Sequence, residues 1–138
     1  MPNFIKLVIF IFLLSSKTLL AEVISISPTE IKELMAKNIP LIDVRREDEW
    51  QSTGVIAHSH LLTFFDKNGK YDFSEFVQKL NKIDNIKEGM ILFCRTGRRT
   101  TLIANAIEKT GAFNIIYNTK GVTAWSSGNN SLINYKQK

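Results

Sequence analysis

The segments Leu41-Ile42-Asp43-Val44, Met90-Ile91-Leu92-Phe93 and Asn114-Ile115-Ile116-Tyr117 are nearly continuous apolar runs, and the stretches between them carry apolar residues at helical spacing. A strand with one wet face alternates between polar and apolar positions. These do not, so both of their faces are covered. Strands of that kind alternating with helices imply an α/β fold with a mostly parallel five-stranded sheet and helices on both faces. The other two strands are Val23-Ile24-Ser25-Ile26 and a weaker one from His60 to Thr63.

Helix signals fall between these strands. Ser27-Pro28 reads as N-cap and first helical residue, with Glu30 in the first turn and Ile31, Leu34 and Met35 following to Lys37. A short helix is predicted from Arg46 to Gln51, closed near Gly54. After the turn-rich Asp66-Lys67-Asn68-Gly69-Lys70, the residues Phe73, Phe76, Val77, Leu80 and Ile83 mark an amphipathic helix. Another runs from Arg99 to Lys109, with Leu102, Ile103, Ala106 and Ile107 expected to face inward and Gly111 ending it. Lys120-Gly121 is expected to lead into a short turn that carries Trp125.

The single cysteine stands in Cys94-Arg95-Thr96-Gly97-Arg98-Arg99-Thr100, directly after one strand and directly before a helix. Ligands of open parallel sheets bind at the carboxyl ends of the strands, where Cys94 falls. Free N–H groups at a helix start, a glycine that permits the backbone to curl, and three arginines favour an ionised thiol in a partly exposed turn. The same groups would hold a small oxyanion, with two arginines on substrate or loop and one solvated or paired with an acid. The competing reading is a buried, inert thiol. Asp43 and Arg45, at the end of a buried strand, are expected to pair and support the adjacent loops rather than to do chemistry.

Length and charge narrow the remaining classes. The 138 residues suit one domain with one core. Lys6, the run from Leu7 to Leu14, Ser15-Ser16 and Leu19-Leu20-Ala21 read as a signal peptide over residues 1–21 that is cleaved after Ala21, leaving one domain over 22–138 with its core at about 27–125. Export to the periplasm is the expectation. The alternative is a retained membrane anchor, although the apolar run is shorter than the roughly 20 residues that span a bilayer. Removing residues 1–21 takes away Lys6 and Lys17 and no acid, so the net charge of +5 falls to +3. With the lysines scattered, a pI near 9.4 gives no case for nucleic acid.

Other residues mimic sites without completing them. His58 and His60 with one cysteine do not make a zinc site. Phe64 to Glu75 has Asp66, Asn68, Gly69, Asp72 and Glu75 at calcium-loop places, but Phe64 stands where the first ligand belongs. No metal and no cofactor is expected. Trp50 and Trp125 are expected to pack at the core or rim, their indole N–H groups anchoring loops.

Four segments in order resemble the rhodanese-type sulfurtransferase family, and its small exported single-domain members most closely. They are Asp43-Val44-Arg45-Arg46-Glu47-Asp48-Glu49-Trp50, Gly54 with Ile56, Cys94-Arg95-Thr96-Gly97-Arg98-Arg99, and Gly121-Val122-Thr123-Ala124-Trp125. Two departures concern the rim: Gly54-Val55-Ile56-Ala57-His58-Ser59 lacks the family's proline, and Lys120-Gly121 replaces a double glycine. The resemblance implies sulfur transfer through a Cys94 persulfide. A small anionic donor such as thiosulfate or a polysulfide would supply the sulfur, and a thiol or cyanide would accept it. It also leaves open a persulfide carrier or protein-binding module, with a protein as sulfur acceptor. Cysteine phosphatases place an arginine six positions after the nucleophile. Here that position is Thr100, and Arg99 falls one residue early.

Overall fold

A computed structural model of the chain describes residues 20–136, so the leader expected over 1–21 lies, up to residue 19, outside the described residues. Five parallel strands form one sheet: β1 (Glu22–Ile26), β2 (Leu41–Asp43), β3 (His60–Leu61), β4 (Met90–Phe93) and β5 (Ile115–Thr119), in spatial order β1-β5-β4-β2-β3. The helices between and after them are α1 (Pro28–Ala36), α2 (Glu47–Thr53), α3 (Phe73–Leu80), α4 (Arg98–Glu108) and α5 (Gly121–Ser127). No helix among the described residues is long and apolar enough to cross a membrane.

Burial follows the sheet order. The inner strands β2 and β4 are buried at every residue, whereas the edge strand β1 is mostly exposed. Because successive strand side chains point to opposite faces, Ile42, Met90 and Leu92 join one core cluster with Phe76, Leu80, Ile103, Ala104 and Ile107 of α3 and α4. Leu41, Ile91 and Phe93 join the other, with Ile31 of α1 and Trp125 of α5. Cys94 continues the first of these faces.

Local signals explain the starts and stops. Ser27 caps α1 in a full capping box with Glu30, and Pro28 occupies the first turn. Gly54 closes α2 at φ 86°. Asp66 Oδ1 accepts the N–H groups of Asn68 and Lys70, and Asp72 Oδ1 accepts that of Glu75 to cap α3. The carboxylates of the calcium-like stretch are therefore turn and cap residues, and Phe64 is buried against Phe65, Tyr71 and Phe76.

Three expectations are corrected. Leu102 is 57% exposed, and α4 buries Thr100, Ile103, Ala104 and Ile107 instead. Small residues at 100 and 104 let this helix lie close to the sheet, and the Thr100 hydroxyl is satisfied by the Gly97 carbonyl at 3.1 Å. The segment after Gly121 is a helix, α5, and not a turn. Helix α3 ends at Leu80, leaving Ile83 in the turns that follow, still packed on the core.

Candidate active site around Cys94

The chain turns outward in opposite directions after two neighbouring strands: from β2 it continues to β3 on one side, and from β4 to β5 on the other. Between their carboxyl ends lies the switch point at which open α/β sheets bind ligands. Cys94 follows β4 there, and Val44-Arg45-Arg46 follows β2. A crevice of about 350 Å3 beside them is lined by Arg45, Asp48, Glu49, Thr53, Arg95 and Thr123.

The loop from Cys94 to Gly97 curls around the sulfur. Gly97 has φ 92° and donates its N–H to Cys94 Sγ at 3.1 Å, while Thr100 Oγ1 lies 3.7 Å from the same sulfur. From outside, α5 fastens this curl. Val122 N–H donates to the Cys94 carbonyl at 3.0 Å, and Thr123 donates to the Arg95 carbonyl through both its N–H and its hydroxyl. Thr119 ties the end of β5 to the Leu92 carbonyl and accepts from Gly121 N–H. With two loop carbonyls held on the α5 side, the Gly97 N–H faces the sulfur. That arrangement suits a negatively charged sulfur or a sulfur atom added to it.

Cys94 is only 1% exposed, which corrects the expectation of a partly exposed thiol. It lies on the core face shared with α3 and α4, under the Gly97 N–H and Thr100. The three arginines also divide differently from a ring around the anion. Arg95 and Arg98 are exposed, as is Thr96, whereas Arg99 is half-buried and turned to Glu49.

That last contact joins the two sides of the switch point. Arg99 Nη1 and Nη2 donate to the two oxygens of Glu49 at 2.8 and 2.7 Å, and Glu49 Oε2 also accepts the Arg46 N–H at the start of α2. Burial pushes the Glu49 carboxyl upward, but the hydrogen bonds from Arg99 and the Arg46 backbone, with both guanidinium charges, outweigh it and lower it to about 2. The Arg99 guanidinium is raised in turn, first by its hydrogen bond to Glu49 and in smaller part by the nearby Cys94 and Asp43.

A carboxyl depressed from 4.5 contributes stability that is complete above that pH and is lost as pH falls through about 2. Allowing for screening of a pair that still meets solvent, Glu49→Gln is expected to cost about 1–2 kcal/mol at pH 7. The gap from the parent protein should close between pH 4.5 and 2 in urea titrations. A gap that stays constant over that range would remove the charge from the account.

Asp43 and Arg45 form a fully buried pair, with Arg45 Nη2 to Asp43 Oδ2 at 2.8 Å. Arg45 also donates to the Thr53 hydroxyl at 2.7 Å and to the Gly54 carbonyl at 2.8 Å, so it ties the end of β2 to the end of α2. Trp125 anchors the following segment through Nε1 to the Ser131 carbonyl at 3.0 Å, whereas Trp50 Nε1 is buried with no hydrogen-bond partner among the described residues. His58 and His60 are exposed and away from the loop. Reasoning from sequence assigned no role to Glu49, Val122 or Thr123. Their only signal was that they fall inside the segments carrying the family resemblance.

Comparison with known proteins agrees with this geometry. No curated protein sequence matches the chain. Among solved structures, a rhodanese-related protein from Thermoplasma volcanium shares 21% identity at TM-score 0.61, covering 81% of this chain and 99% of its own. A protein from M. tuberculosis shares 25% identity at TM-score 0.58, covering 73% of this chain and 79% of its own. One from Rhodopseudomonas palustris, described as of unknown function and a possible tyrosine phosphatase, shares 18% at TM-score 0.56, covering 82% and 85%. The rhodanese-like domain family matches residues 27–128, from the cap of α1 through Gly128 at the end of α5, and so the chain belongs to the rhodanese-like domain family.

Proposed function

We propose that the protein is a sulfurtransferase that carries a sulfane sulfur on Cys94. In the first step the Cys94 thiolate attacks the outer sulfur of thiosulfate, or a sulfur of a polysulfide. The donor's sulfur–sulfur bond breaks, its electron pair leaves with sulfite or the shortened polysulfide, and Cys94 becomes a persulfide. In the second step cyanide or a thiolate attacks the terminal sulfur and leaves with it as thiocyanate or a new persulfide, which restores the Cys94 thiolate. Neither step consumes an external oxidant or reductant, because the sulfane sulfur passes from one nucleophile to the next.

The observation that carries this reading is the enclosure of Cys94 Sγ by the Gly97 N–H and Thr100 at the carboxyl end of β4. The Gly97 N–H, donating to Sγ, is placed to stabilise the charge that the sulfur carries as it attacks, and His58 and His60 line other clefts. Phosphoryl transfer is less well served. Cysteine phosphatases clamp the phosphoryl oxygens with an arginine six positions after the nucleophile, but that position here is Thr100, and the adjacent Arg99 is committed to Glu49 through both terminal nitrogens. Arg95, exposed on the crevice, is the cation that meets the donor.

Export completes the proposal, with residues 1–21 removed as a signal peptide and the activity located in the periplasm. Incubation with thiosulfate should release sulfite and add one sulfur atom to the peptide containing Cys94, and cyanide should then remove it as thiocyanate. Turnover of an aryl phosphate exceeding sulfur transfer would overturn the reading.

A further inference from the structure

Thr100 is fully buried in the first turn of α4, and it is the only side chain among the described residues that hydrogen-bonds Cys94 Sγ. In the thiol form three hydrogen bonds close a ring. The Gly97 N–H donates to Sγ at 3.1 Å, the thiol donates to Thr100 Oγ1 at 3.7 Å, and the Thr100 hydroxyl donates to the Gly97 carbonyl at 3.1 Å.

The last bond of this ring is dispensable. The Gly97 carbonyl also accepts the Thr101 N–H at 3.1 Å and the Thr101 hydroxyl at 2.8 Å, and a carbonyl oxygen has two lone pairs. Asn118 of β5 fixes the second of these donors, because its Nδ2 donates to Thr101 Oγ1 at 2.9 Å and leaves the Thr101 proton for Gly97. The carbonyl is therefore satisfied without Thr100. A hydroxyl proton changes partner by rotating about its C–O bond, with no heavy atom moving. Full burial of Thr100 keeps bulk water from competing for that proton.

We propose that the Thr100 hydroxyl is a catalytic donor that turns from the Gly97 carbonyl to Sγ as the Cys94 persulfide is discharged. The inference rests on the sulfurtransferase reading. When cyanide or a thiolate bonds to the terminal sulfur, the bond between the two sulfurs breaks and its electron pair returns to Sγ. Sγ is uncharged in the persulfide and becomes a thiolate in this step. A donor that meets the charge only as it develops lowers the barrier. Sulfur uptake runs the other way. There Sγ gives its charge up to the new bond, so the same hydrogen bond stabilises the starting thiolate and does not speed its attack. Thr100 thus serves the second half of the cycle and not the first.

Stopped-flow mixing separates the halves. Sulfite release on adding thiosulfate reports uptake, read at the plateau of its pH profile, and thiocyanate release on adding cyanide to isolated persulfide protein reports discharge. Thr100→Val removes the hydroxyl and keeps the size, so discharge is expected to slow at least about tenfold while uptake stays within about twofold. Thr100→Ser returns the hydroxyl and should bring discharge to within about threefold of the parent rate. Thr100→Ala takes the place of the valine variant if that protein melts early. Failure of the parent protein to take up sulfur overturns the sulfurtransferase reading and this inference with it. Where uptake occurs, equal slowing of both halves in the variants lacking the hydroxyl makes Thr100 a packing residue and overturns this inference alone. So does discharge at the parent rate without the hydroxyl.

Discussion

Cys94→Ser protein is expected to keep its fold and to lose thiosulfate-dependent thiocyanate formation by about a thousandfold or more. The fold should survive because serine fits the space of cysteine and the Gly97 N–H, 3.1 Å from the sulfur, can donate to a hydroxyl oxygen as well. The stability change should stay within about 1–2 kcal/mol, the range for altering one buried hydrogen bond. Activity has no such substitute. Attack on a sulfane sulfur needs a polarisable nucleophile, and a serine hydroxyl is both less polarisable and far less acidic than a thiol. Equal thiocyanate rates in the two proteins would end the enzymatic reading. Thermal melts belong beside the assay, because they separate loss of the nucleophile from loss of the fold.

The features legible in the sequence are those written in contiguous residues. Leu41 to Val44 and Met90 to Phe93 announced buried strands because nothing in them alternates, and both are buried throughout. Ser27, Pro28 and Glu30 announced α1 through capping chemistry that operates within four residues. The cysteine turn was visible for the same reason. What stayed hidden depends on residues far apart in the chain. Glu49 and Arg99 are separated by 50 positions, and no periodicity couples them, so the removal of Arg99 from the ring of free cations could only be seen in three dimensions. The inner face of α4 was misread at Leu102 because hydropathy favoured leucine over Thr100, whereas the close approach of helix and sheet favoured the smaller side chain. The burial of Cys94 likewise comes from its place on the core face beneath the curled loop, which the polar residues around it in the sequence do not report.

The largest structural effect is expected at Gly121, where α5 meets the cysteine loop. A Cβ at this position would overlap the Cys94 carbonyl oxygen and would lie 2.7 Å from its carbon and 2.8 Å from that of Arg95, all backbone atoms that cannot rotate away. Gly121 also has φ +64°, which disfavours any side chain by about 1–2 kcal/mol. Gly69, in the loop before α3, separates the two effects: it has φ +74°, but a methyl group placed there would meet nothing within 4 Å. Gly69→Ala should therefore show the backbone strain alone and keep full sulfur transfer. Gly121→Ala adds overpacking against rigid atoms, for a total of about 3–5 kcal/mol. Relief requires α5 to move off the loop, which breaks the bonds from Val122 and Thr123 to the carbonyls of Cys94 and Arg95. Those bonds hold the Gly97 N–H on the sulfur, so Gly121→Ala should lose activity even at temperatures where it remains folded. If its specific activity per folded molecule matched that of Gly69→Ala, α5 would be a packing element with no part in shaping the cysteine loop.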